Sequence, residues 1–340
     1  MRAIASSKVL GALALAVSVA AVAAAQPATT RVDAVPGPPE IDGTTVTEDI
    51  AFRNDRHDRM TVPVRVGGRG PYRFLVDTGA DRTAVSTAVA AELGLSSGPM
   101  ATLHSVTGMT PVRTANVPQL ELTHNRVRSV EAPLLERVHM GADGILGVDS
   151  LRSQRVLFDF RTRMISIVPS ARRIEREDKD AIIVRGRLKR GHLIVTSARA
   201  NGVPITVVLD TGSELTMGNS ALRARLEARR RLGEGERIEM ISVTGQLLVG
   251  DAFKLKRVEI GDVVLKDLVI LFSEAPIFRS LHLEDRPAVL FGMNAMRAFD
   301  RVSIDFAKKQ LRMVVPQQSS LDWAVMADRR RALGMASAQH

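Results

Sequence analysis

The chain has 340 residues, 45% of them hydrophobic, which excludes a disordered polyelectrolyte and is long enough for two domains with a sizeable core. It has no cysteine, so disulfides, thiol nucleophiles and thiolate metal sites are excluded, whereas an oxidising compartment is not. The formal charge is +10 without any zinc-finger, RNA-recognition or base-stacking aromatic pattern, so nucleic acid is not an expected partner; the excess reads as a solvated surface with some leaning toward anionic partners, an envelope surface among them.

The amino terminus reads as an export signal over 1–25. Arg2 and Lys8 precede an apolar run from Val9 to Val22, and Ala23-Ala24-Ala25 supplies small residues for cleavage before Gln26. The alternative is an uncleaved anchor, for which the run is short and rich in alanine. Export followed by cleavage near Ala25 places the mature chain in the periplasm or outside the cell. Residues 26–57, with Pro36-Gly37-Pro38-Pro39, read as a linker or loosely docked arm.

Structured sequence begins near Met60, in a first lobe spanning 58–170. Thr61 to Val66 alternates as a strand, Gly67 to Pro71 turns, and Tyr72 to Val76 returns to Asp77-Thr78-Gly79-Ala80. A short helix is expected over Val85 to Leu93, closed by Gly94. Leu103-His104-Ser105-Val106-Thr107-Gly108-Met109 leads to a hairpin tip. Val112 to Leu122 and Val127 to Leu135 are further strands. Asp143-Gly144-Ile145-Leu146-Gly147 precedes a helical turn over Val148 to Leu151, and Arg155 to Phe160 with Met164 to Val168 closes the lobe. Residues 171–189 are charged at their start and read as a connector.

The same order then recurs over 190–316. His192 to Ala198 and Pro204 to Leu209 flank the turn Asn201-Gly202 and lead into Asp210-Thr211-Gly212-Ser213. A helix is expected from Ser220 to Leu232. Ser242-Val243-Thr244-Gly245 repeats the Ser-Val-Thr-Gly of Ser105 to Gly108, and Gln246 follows it. Strands over Ala252 to Ile260 and Val263 to Phe272 precede Val289-Leu290-Phe291-Gly292, a helical turn, and a closing hairpin over Arg301 to Phe306 and Gln310 to Val315. Asp210 lies 133 residues after Asp77, Ser242 lies 137 after Ser105 and Gly292 lies 145 after Gly147. Residues 317–340 form an added tail.

Two strand-rich units that each place an Asp at a strand end can pair about a pseudo-twofold axis, and the carboxylates then meet. Two carboxylates in contact cannot both ionise cheaply, so they hold one proton between them and titrate as a unit. The ionised member can take a proton from a bridging water while its protonated partner donates to a carbonyl oxygen, giving a tetrahedral gem-diol without a covalent enzyme intermediate. Gly79 and Gly212 allow close backbone approach. Thr78 and Thr211 can bond across the axis, although ordinary β-propensity would also place threonines there. The two Ser-Val-Thr-Gly tips are candidate flaps that pair with substrate backbone as an added strand; otherwise they are plain surface hairpins. Val106, Met109, Ile145, Leu146, Val243, Gln246, Leu290 and Phe291 are candidate cleft contacts.

On Asp77-Thr78-Gly79-Ala80, Asp210-Thr211-Gly212-Ser213, Asp143 to Gly147 and Val289 to Gly292, the chain resembles the pepsin and retropepsin clan of aspartic peptidases, and looks nearer to the bacterial retropepsin-like proteins. The resemblance implies an all-β fold with few short helices, built as a two-lobed acid-protease β barrel, internally duplicated. It implies a catalytic dyad of Asp77 and Asp210, no cofactor and no metal, an extended peptide or protein as substrate, and a monomer carrying both Asp. Two departures stand out. Neither tip has the Tyr of pepsin-like flaps, and Ala80 replaces a hydroxyl residue that Ser213 retains. A hydroxyl donating to a carboxylate stabilises its ionised form, so the loss of one donor implies an optimum less acidic than pepsin's. The rival readings are a silent peptide binder and an envelope scaffold acting through the tail or the Arg223 to Arg231 stretch, which reads otherwise as a solvated helix face. His104, His124, His139 and His192 lack metal spacing and read as loop or surface residues.

Overall fold

The computed structural model describes residues 60–105, 108–122, 125–172 and 181–316, with short strand pieces at Ala12–Ala14, Arg31–Val32, Glu40–Ile41, Asp49–Ala51 and Arg53–Asn54. The leader, the arm and the tail otherwise lie outside the described residues, as do Val106 and Thr107 of the first hairpin tip.

The N-terminal lobe begins with β1 (Met60–Val66) and β2 (Arg69–Val76). Val62, Val64 and Val66 are buried while Pro63 and Arg65 between them are exposed, the period-two alternation of a half-buried strand. Next come β3 (Ala84–Ser86), α1 (Thr87–Leu93), β4 (Ser97–Ser105), β5 (Gly108–Leu122), β6 (Asn125–Leu135), α2 (Arg137–Met140), β7 (Gly144–Leu146) and α3 (Val148–Leu151). Ser86 caps α1 by accepting from the Val89 N–H, and Gly94 ends it at φ 61°. The strands run β4-β5-β6-β3-β7-β2-β1, and β1 also pairs with β5, which closes the barrel and leaves β1 and β5 mutually covered.

The C-terminal lobe repeats this plan with β11 (Arg187–Lys189), β12 (His192–Ala200), β13 (Val203–Leu209), β14 (Thr216–Gly218), α4 (Ser220–Ala228), β15 (Gly235–Ile241), β16 (Leu247–Ile260), β17 (Val263–Phe272), α5 (Pro276–Ser280), β18 (Ala288–Phe291) and α6 (Met293–Met296). The order is β11-β12-β13-β18-β14-β17-β16-β15, and β12 pairs with β16 to close it. Asn201 and Gly202 both take positive φ, 43° and 77°, as the tight β12–β13 turn requires.

Between the lobes lies a third sheet. Each lobe contributes its closing hairpin, β8 (Gln154–Asp159) with β9 (Met164–Pro169), and β19 (Arg301–Asp305) with β20 (Gln310–Val314). β8 and β19 pair antiparallel, with Phe158 opposite Val302 and Arg155 opposite Asp305. The duplication is thus closed by hydrogen bonding between corresponding strands. One apolar cluster runs through both lobes and this sheet, from Val62 to Met313.

Several details differ from the sequence reading: α2, β3 and β14 were not foreseen, Val85 and Ser86 lie in β3 and not in the helix, and β2 already begins at Arg69 within the expected turn. The stretch read as connector ends in strand: β10 (Ile182–Arg185) pairs with β20 at the edge of the central sheet, and β11 follows. The helix expected to reach Leu232 stops at Ala228 because Arg230 takes φ 52°, and Arg231 is held by the Asn201 carbonyl at 2.6 Å. The short α5 was not foreseen, although Pro276 opens it as proline commonly does.

Phe158 is fully buried where the lobes join. Phe158→Ala is expected to cost about 3–5 kcal/mol, read by urea denaturation, and to lower one shared unfolding transition rather than split it into two.

Candidate active site

Asp77 follows the end of β2, and Asp210 the end of β13. Each strand is held from behind by a short parallel strand of its own lobe. β7 pairs with β2, and the Asp77 N–H donates to the Leu146 carbonyl at 3.0 Å. β18 pairs with β13, and the Asp210 N–H donates to the Phe291 carbonyl at 3.1 Å. Both strands behind the loops are buried throughout, which is why they read as uninterrupted apolar runs. A β-carbon at Gly147 would lie 2.4 Å from the Arg82 backbone, and one at Gly292 would lie 2.6 Å from that of Leu215. Only glycine lets these chains cross.

The loops meet across the axis through four reciprocal hydrogen bonds. The Thr78 N–H donates to Thr211 Oγ1 at 3.0 Å, and the Thr211 N–H donates to Thr78 Oγ1 at 3.1 Å. Each hydroxyl then donates onward into the opposite lobe, Thr78 Oγ1 to the Leu209 carbonyl at 3.1 Å and Thr211 Oγ1 to the Val76 carbonyl at 2.7 Å. Valine would match the β-propensity but supply none of these bonds.

The two carboxylates are fully buried and similarly dressed. Asp77 Oδ1 accepts from the N–H groups of Gly79 and Ala80 at 2.8 and 3.0 Å; Asp210 Oδ1 accepts from those of Gly212 and Ser213, both at 3.1 Å. The Asp77 carboxyl carbon lies 2.2 Å from where a β-carbon on Gly212 would stand. That contact brings the first lobe's acid into the second lobe's motif. A family model for aspartyl proteases matches residues 62–150 and 196–295, one match on each lobe and together more than half of the chain. The chain belongs to the aspartyl protease family. The paired matches and the two β lobes make it a retropepsin-like member with both halves on one chain. No curated protein sequence matches it.

The other expected site residues divide sharply. Ile145, Leu146, Leu290 and Phe291 are fully buried in the strands behind the acids, so they are core and not cleft contacts. The reason is geometric: strands paired on both edges and covered on both faces expose nothing. Val243 is also fully buried, but in the opposite lobe. It joins Leu75, Ala80, Leu103, Met140 and Ile145 in an apolar cluster, so the second hairpin reaches across to the loop bearing Asp77. Its tip is tied by Ser242, whose Oγ accepts from the N–H groups of Thr244 and Gln246 at 3.1 and 3.2 Å. A side chain on Gly245 would strike the His139 ring of α2, 2.6 Å from the β-carbon position. In the first hairpin, Ser105 and Gly108 pair as β4 meets β5, and Met109 is 69% exposed. Gln246 is exposed.

The Ser213 hydroxyl does not serve Asp210. Its single O–H donates to the Leu215 carbonyl at 2.6 Å, so the expected hydroxyl difference between the two acids does not arise from Ser213. The Arg223 part of the basic stretch is paired, with Glu227 at 2.8 Å and Asp251 at 3.0 Å.

Three supporting pairs escaped the sequence reading. In the first lobe, the Thr83 N–H and hydroxyl donate to Asp149 at 2.9 and 2.7 Å, and Thr83 Oγ1 accepts from the Gly147 N–H at 3.1 Å. In the second, Thr216 makes the same contacts to Asn294, at 2.8 and 2.7 Å, and accepts from Gly292 at 3.2 Å. The signal was present: Thr216 follows Thr83 by the 133 residues that separate the acids, and Asn294 follows Asp149 by the 145 that separate the glycines. Asp81 and Glu214 are the third such pair. Asp81 contacts His192, whereas Glu214 is held by Arg297. His192 is thus a fully buried strand residue and not a surface one.

Two predictions follow from this geometry. Thr78→Val and Thr211→Val are each expected to cost about 2–3 kcal/mol, with less than additive loss in the double variant because both remove the same lattice; denaturation of the four-member cycle measures it. Burial, opposed by bonds from Thr83 and by the Arg82 charge, raises the pKa of Asp149. A raised folded-state pKa contributes stability below the unfolded value, about 4, and loses it as pH rises through the folded value. Asp149→Asn, copying Asn294, is expected to flatten that decline in melting temperature between acid and neutral pH.

Proposed function

We propose that the chain is an exported aspartic endopeptidase that cleaves extended peptides with a water activated between Asp77 and Asp210. The observation carrying this reading is the reciprocal threonine lattice that sets the Asp77 carboxyl against Gly212. A protein that only gripped peptide would not need both acids at one point.

In this mechanism the pair holds one proton. The ionised acid removes a proton from the water as oxygen attacks the peptide carbon, and the protonated acid donates to the carbonyl oxygen. The gem-diol then collapses, the amine leaves with a proton, and the dyad regains its starting state. Backbone N–H groups at Gly79, Ala80, Gly212 and Ser213 hold one oxygen of each carboxylate in place, so little reorganisation accompanies the step. The hairpin bearing Val243 closes over the Asp77 loop, and its tip lifts to admit substrate. Exposed Met109, Leu247 and Val249 on the two hairpins offer apolar contacts to an unfolded chain. The leader ending near Ala25 directs export, the basic balance suits an anionic envelope surface, and one chain supplies the whole site, so the working form is a monomer.

The test is incubation of the chain from Gln26 onward with a denatured protein across pH 3 to 8. Cleavage is expected within this range, blocked by a statine-type inhibitor. Asp77→Asn is expected to lower kcat by three orders of magnitude or more, on the order of 4 kcal/mol in the barrier, while still binding the inhibitor. Undiminished turnover in Asp77→Asn would overturn the reading, and inhibitor binding without any wild-type cleavage would favour a silent peptide binder.

A further inference from the structure

His192 opens β12 of the C-terminal lobe, yet its ring contacts the catalytic loop of the N-terminal lobe. Nδ1 is 3.1 Å from the Thr78 carbonyl oxygen, and Nε2 is 2.6 Å from Asp81 Oδ1. The imidazole is 0% exposed and the Asp81 side chain 14%. A carbonyl oxygen only accepts, and so does an ionised carboxylate. A neutral imidazole has one N–H and can satisfy only one of these two neighbours. Both contacts therefore require one further proton. It is carried either by an imidazolium facing the carboxylate or by an Asp81 carboxyl that donates to Nε2. In both forms the pair is neutral overall, as its burial favours.

Once that proton leaves, the ring keeps a single hydrogen. The charged carboxylate holds it more strongly than the carbonyl does. Nδ1 then presents a lone pair to the Thr78 oxygen, and that contact opens. Thr78 is half of the threonine lattice and the chain neighbour of Asp77. The corresponding acid of the other lobe, Glu214, is held by the Arg297 guanidinium and not by an imidazole.

We propose that His192 is a positioning residue for the Asp77 loop, held there by a proton shared with Asp81, and that loss of this proton slackens the loop. The charged groups around the pair come from several elements. Arg82 interacts with Asp81 from the same loop, and Arg152 lies beyond α3, its Nε 4.0 Å from the β-carbon position of Gly191. Lys189 is paired with His192 in the β11–β12 hairpin and donates to the Leu281 carbonyl, Arg190 sits in the turn, and Asp77 adjoins Thr78.

The effect on turnover rests on the peptidase reading; the protonation itself does not. Asp81→Asn separates the two. An amide can donate to Nε2 while the ring donates through Nδ1 to Thr78, so a neutral His192 keeps both contacts and no extra proton is needed. Because the dyad also loses its own shared proton on the alkaline side, the readout is the loop and not the rate limb: the movement of the Thr78 and Gly79 amide resonances that follows the ring in wild type is expected to be absent in Asp81→Asn. In wild type, ¹⁵N spectra are expected to show both His192 ring nitrogens protonated at the pH of maximal rate, with the Thr78 and Gly79 amide resonances following the same titration. In Asp81→Asn the ring stays neutral with its proton on Nδ1. Thr78 and Gly79 amides that move alike in wild type and Asp81→Asn, or a singly protonated wild-type ring at that pH, would overturn the proposal. If the chain cleaves nothing, or Asp81→Asn does not fold, the wild-type ring and amide titrations decide it alone.

Discussion

The site depends on one reciprocal contact: two threonine hydroxyls, each accepting a backbone N–H from the other lobe's loop and donating to a carbonyl behind it. A hydroxyl can do both at once, and no other small side chain at these positions could. Because each bond has a twin, neither loop can shift without straining its counterpart. Everything else supports that arrangement. The short parallel strands fix the height of each loop, the glycines behind them permit the crossing, and the central sheet sets the distance between lobes.

The two halves are similar in backbone and different in chemistry. Thr83 binds Asp149 where Thr216 binds Asn294, so one lobe buries a carboxyl where the other buries an amide. Asp81 meets an imidazole where Glu214 meets a guanidinium. The framework of donors and acceptors is kept while the charges change. In each case the conserved element is the threonine or the acid, and the partner is what has diverged between the halves.

Much of this was legible in the sequence. The repeat itself was, because Asp-Thr-Gly recurs at the end of an apolar strand and the later elements keep their order. The threonine roles were legible for the same reason. What failed was anything that depended on which way a buried strand faces. Ile145 and Leu290 look like cleft residues beside a catalytic motif, yet strands covered on both faces offer nothing to a ligand, and an apolar run cannot announce that. Val243 was legible as a tip but not as a residue that crosses to the other lobe, since that contact joins segments far apart in the chain. His192 was missed because a lone histidine carries no spacing, and its importance comes from partners more than a hundred residues away.

The central sheet carries a consequence for mass action. Were the halves separate chains, the site would exist only above some concentration and would vanish on dilution. Here the strands that join the lobes belong to one polypeptide, with only residues 170–181 between β9 and β10. Assembly of the two acids is a unimolecular event whose effective concentration is set by a short tether, on the order of millimolar for connections of this kind. Both acids therefore travel on one chain, however dilute it is.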